Sequence, residues 1–155
     1  MKRASLLVLA CGVSCTVLAA DIATGSGTLD GKSFAARGAF AYRDEGYTMV
    51  VVSSANIDVS SMVRDGRVDP FAVIGHQTTT KATVVKLMID PKGQMACFNV
   101  IDEAEGGNRC GDFKDSLKLT RRDYGRVAGT LDWSGEGESL KLSFDQAIVG
   151  STDGK

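Results

Sequence analysis

Two cysteines bracket the segment 97-CFNVIDEAEGGNRCGDF-113, and Asp102, Glu103 and Glu105 lie between them. Those residue types at that spacing allow three chemistries: a disulfide, a thiol redox pair, or a carboxylate loop for a cation. Catalytic thiols favour Cys-x-x-Cys at a helix start, whereas Cys97 and Cys110 are far apart in a strand-like context. A structural staple is therefore expected, closing a loop worth about 3 kcal/mol in the chain-entropy model. The acids, with Asp112 and Asp115 just outside, do not follow the D-x-D-x-D-G spacing that a calcium loop requires. They read as a solvated tip, the alternatives being adventitious divalent binding or protein recognition. Gly106, Gly107, Asn108 and Arg109 complete that tip, and a loop on a rigid scaffold is a common place for recognition.

His76 is the sole histidine, so any serine or cysteine hydrolase built on a histidine base would have to use it. No G-x-S-x-G elbow accompanies it; around Ser134 the sequence is DWSGE. One histidine and two paired cysteines leave too few nitrogen and sulfur ligands for zinc. His76 is expected in a polar turn, GHQTTT, without a catalytic role. The glycines of GSGTLDG lack the G-x-G-x-x-G spacing and are followed by no helix, so they read as turn and edge residues. Carboxylate pairs for hydrolysis cannot be picked out from 19 acids without geometry. Catalytic, metal and cofactor-binding residues are therefore assigned to none. Trp133 has two readings, core closure or exposed anchor, and the first is preferred.

The start of the chain, MKRASLLVLACGVSCTVLAADIA, has a short cationic region at Lys2 and Arg3, an apolar run from Leu6 to Ala19, then small residues before Asp21. That is the layout of a secretory signal peptide cleaved near Ala20. The run is short for a spanning helix, which needs about 20 apolar residues. Lipid anchoring at Cys11 is a weaker alternative, because the apolar run continues past it. Export to the periplasm or beyond leaves Cys97 and Cys110 as an even pair in an oxidising compartment. Residues 21–155 are expected to form one β-rich domain. Net charge is −1 over the whole chain and becomes more acidic once Lys2 and Arg3 leave. No cationic run offers a footprint for nucleic acid or an anionic membrane surface.

These residues must be positioned by strands. Short alternating runs separated by turn residues dominate the chain. Asp30-Gly31 suits a two-residue hairpin turn, and KATVVKLMID-PKG-QMACFNVI reads as a long hairpin turning at Asp90, Pro91 and Gly93. Met49 to Val52 read as a largely buried strand. Near the end, Leu140, Leu142 and Phe144 alternate with Lys141, Ser143 and Asp145, one buried face and one wet face. One short helix is expected in NIDVSSMVRDG, capped by Asp58 and ended by Gly66. RVDPFAVIGHQTTT is ambiguous, since Pro70 argues against a central strand. The sum is an all-β class: an antiparallel sandwich or a partly closed barrel of roughly eight to nine strands with one short helix.

The segments LDGKSFAARGAFAY…MVVVSS and GRVAGTLDW…LKLSFDQAI resemble pieces of small exported β-proteins of Gram-negative bacteria. The resemblance implies an export signal and a β-sandwich-like fold, and carries no active-site motif onto this chain. The expected function is a non-enzymatic periplasmic binding or interaction protein, such as an inhibitor or immunity partner of a secreted toxin or hydrolase. Its alternatives are a carrier of a small apolar ligand in a β-barrel and a carboxylate-based hydrolase.

Overall fold

A computed structural model describes residues 22–103 and 106–153. The expected signal segment, including Cys11, lies outside the described residues, as does Glu105. The fold is all-β with one short helix. Its strands are β1 (Ile22–Leu29), β2 (Lys32–Ala35), β3 (Gly38–Asp44), β4 (Tyr47–Ser53), β5 (Val63–Arg64), β6 (Arg67–Val68), β7 (Val84–Ile89), β8 (Met95–Ile101), β9 (Gly107–Cys110), β10 (Leu117–Arg122), β11 (Arg126–Gly135) and β12 (Glu138–Ser151). The main sheet runs β10-β11-β12-β3-β4-β7-β8-β9 and curls into a half-barrel. β12 makes the curl possible. Its first half pairs with β1 and its second half runs parallel to β3, while β11 follows the other side.

Acid-glycine turns set most of the tight reversals. Asp30-Gly31, Glu45-Gly46, Asp65-Gly66 and Glu136-Gly137 all have positive φ at both residues, the backbone that a type I′ hairpin needs. In the β7–β8 turn the Asp90 carboxylate accepts from the amides of Lys92 and Gln94, each at 2.8 Å.

Two cores share one sheet. The concave side collects Val50, Val52, Val85, Leu87, Phe98, Val100, Leu131, Leu140 and Phe144. The convex side of β3, β4 and β7 buries Phe40, Tyr42, Met49, Val51 and Val84 beneath Met62, Val68 and Val73. Both faces of β4 are therefore dry, which is why Met49 to Val52 show no polar alternation. Trp133 packs inward, edge-on to Phe98 with centroids 4.9 Å apart.

The helix is displaced from its expected position. Asp58 does cap, accepting from the Ser60 amide at 3.1 Å, but only for the single 3-10 turn Val59–Ser61. Asp65-Gly66 then turns β5 into β6 instead of ending a helix. The α-helix is α1 (Pro70–Thr80). Asp69 accepts from the Phe71 amide at 2.9 Å, Pro70 supplies a preset φ at the first position, and Val73 and Gln77 face the sheet. Those start signals outweigh the weaker ones at Asp58, where the chain turns back after one turn.

Candidate functional site

The cysteine-bracketed segment becomes the β8–β9 hairpin. Cys97 and Cys110 stand directly opposite each other across the two strands and are joined as a disulfide. Register then decides where the rest points. Because Phe98 faces the concave core and pairs with Arg109, Arg109 projects from the same inner face rather than into solvent.

Arg109 meets two carboxylates from distant turns. Its Nε donates to Glu138 Oε2 at 2.8 Å, and its terminal nitrogen donates to Glu138 Oε1 at 2.9 Å and Asp30 Oδ1 at 2.7 Å. The Asp30 amide donates to Glu138 Oε1 at 2.7 Å, which ties the β1–β2 turn to the same carboxylate. The Arg109 hydrogen bonds hold Glu138 below the usual carboxylate range, and those to Glu138 raise Arg109 further above its own. Among the described strands β9 ends the main sheet and pairs only with β8, so this cluster joins a sheet edge to the far side of the barrel. An inward charge on an edge strand also discourages pairing with another chain.

The neighbouring acids are similarly engaged. Asp102, its side chain 5 % exposed, pairs with Lys32 of β2 at 3.0 Å and accepts from the Gly106 amide at 3.1 Å. Glu103 pairs with Lys81 at 3.1 Å in solvent. Asn108 accepts from the Asn99 amide group at 2.9 Å. The loop foreseen as a recognition tip thus carries a clasp: Asp102 and Arg109 hold the edge of the barrel, and Glu103 is exposed to solvent.

His76 lies on α1 rather than in a turn. Its Nε2 is 2.9 Å from Ser53 Oγ, which also accepts from the Ala55 amide at 3.1 Å. Burial holds the imidazole pKa below its ordinary value. Ser53 is 0 % exposed, so the pair pins the helix to β4 and offers no hydroxyl to a substrate. Among the described residues, no three His, Cys, Asp or Glu side chains come together as a metal-ligand set. None of the described helices is long and apolar enough to cross a membrane.

One surface was not foreseen. On α1, Phe71 is 76 % exposed and Ile74 49 %, one turn apart on the same side. Beside them a cleft of about 310 Å³ is lined by Tyr42, Val73, Lys86, Asn99 and Ile101. The signal was present in Asp69-Pro70, a capping residue before a first-position proline; reading the segment as a helix puts Phe71 and Ile74 together.

Compared with known proteins, the chain matches no family model, no curated protein and no solved structure.

Proposed function

We propose that the protein is a non-enzymatic binding module of the periplasm that holds another protein, with the outer face of α1 as the contact surface. The observation that carries this is the pair Phe71 and Ile74, large apolar side chains left in water on a helix whose opposite side is already packed. Aromatic anchors presented by a rigid element suit the centre of an interface. The engagement of Asp102 and Arg109 inside the molecule supports this face over the β8–β9 loop. The engagement of Asp30 and Glu138 by Arg109 and the closed environment of Ser53 favour binding over hydrolysis. A secreted toxin or hydrolase, neutralised by occlusion, is the partner class that suits an exported, disulfide-stapled module.

Site-specific photo-crosslinking in the exporting cell tests this. A crosslinker at position 71 should trap a defined partner, whereas one at position 103 should trap little. The purified partner should then lose at least about tenfold in affinity for Phe71→Asp, since a buried aromatic anchor contributes more than about 1.4 kcal/mol. Crosslinks from position 103 alone would move the interface to the β8–β9 loop. Mature protein that retains a small apolar molecule within the barrel would favour the carrier alternative, but the filled concave core speaks against it.

A further inference from the structure

The cleft beside α1 is lined by polar as well as apolar residues. Phe71, Val73, Ile74 and Ile101 supply the walls. Lys86 of β7, which also lines the cleft, has no acidic or hydrogen-bonding partner among the described residues. Tyr42 is 1 % exposed, yet its hydroxyl makes no hydrogen bond with a described residue and is not sealed in the core. Tyr42 is among the residues that line the cleft. A nearly buried phenol without a partner is uncommon, because losing water without replacing it costs about 1–3 kcal/mol. Burial, and secondarily Asp44, pushes the phenol up to about 12, so it stays a neutral donor at any physiological pH. Asp44 itself is held by Thr152 and does not line the cleft.

A neutral phenol and an ammonium in the lining of one apolar slot are complementary to one ligand class. We propose that this cleft binds a small monocarboxylate with an apolar tail, of the medium-chain fatty type, its carboxylate between Lys86 and Tyr42 and its tail along Ile74 and Ile101. Asn99, paired across the strands with Lys86, also lines the cleft, though its amide nitrogen is committed to Asn108. The volume lies at the low end of small-molecule sites, which run from about 300 Å³ upward, so the tail is short. This site shares Phe71 and Ile74 with the proposed protein-binding face, but its test needs no protein partner.

Calorimetric titration of the purified mature protein with octanoate tests it, with 1-octanol, acetate and an N-acetyl dipeptide ending in leucine as comparators. Octanoate should bind, octanol at least about tenfold more weakly, and acetate not measurably, since one charge-assisted hydrogen bond is worth about 1.5–3 kcal/mol. Lys86→Met keeps the stem and should weaken octanoate by about tenfold; Tyr42→Phe removes only an unbonded hydroxyl and should weaken it by several-fold. Amide-shift changes should centre on Ile74, Lys86 and Ile101. No octanoate binding, equal binding of octanol, or affinity indifferent to Lys86→Met would overturn the assignment. Tighter binding of the dipeptide would overturn the fatty-ligand class.

Discussion

Replacing Arg109 with methionine tests the claim that the cysteine-bracketed hairpin is a clasp. Glu138 and Arg109 are 11 % and 17 % exposed in their side chains, so solvent screens the pair less than an ordinary surface ion pair. Two bonds run from one guanidinium to one carboxylate, each charge-assisted and worth about 1.5–3 kcal/mol net in isolation. They share one desolvation cost and one ordering cost, so the coupling should be about 2 kcal/mol rather than their sum. Arg109→Met alone should cost more, about 3 kcal/mol, because Glu138 is left charged and unpaired. The assay is urea unfolding followed by fluorescence of Trp133, the sole tryptophan, in Arg109→Met, Glu138→Gln and the double variant. The pH dependence has a definite sign. Folding lowers the Glu138 pKa from its ordinary 4.5, so the contribution is complete above about 4.5 and is lost as pH falls through the folded value. A coupling below about 0.5 kcal/mol at pH 7, or one that grows on acidification, would refute the clasp.

Three further outcomes follow from the same geometry. Replacing Cys97 and Cys110 with alanine should lower unfolding free energy by about 3 kcal/mol, and reduction of the native protein should reproduce that loss in the same urea experiment. Phe98→Ala, at a 0 % exposed position against Phe113 and Trp133, should cost about 3–5 kcal/mol and shift the tryptophan emission; an unchanged midpoint would contradict the packing. Because burial lowers the His76 pKa, the unfolded chain takes up protons first as pH falls below 6.5. Thermal stability should therefore decline on acidification from about 7.5 to 5.5, and His76→Gln should flatten that decline in parallel melts.

Much of the fold was legible locally. Asp30-Gly31 and Asp90-Pro91-Lys92-Gly93 carry their own turn geometry, and Leu140, Leu142 and Phe144 display their face by period alone. The missed helix was a competition between two capping signals. Asp58 and Asp69 both bind the amide two residues on, and each is followed four residues later by a side chain packed on the sheet, Met62 or Val73, but only Asp69 is followed directly by proline. The site was less legible because contact across a barrel has no sequence period. Asp30, Arg109 and Glu138 meet only when β9 ends the sheet opposite the β1–β2 and β11–β12 turns.

The residue order by itself determined that strands would form, where most of them would turn, and that two cysteines could close one hairpin. Tertiary structure decided which face each charge would occupy. In a strand, moving the register by one residue sends a side chain to the other face, and the Cys97–Cys110 pairing places Arg109 inward. That register makes the acidic segment a clasp. Tertiary structure also leaves Phe71 and Ile74 exposed on α1, beside the cleft that Tyr42 and Lys86 line.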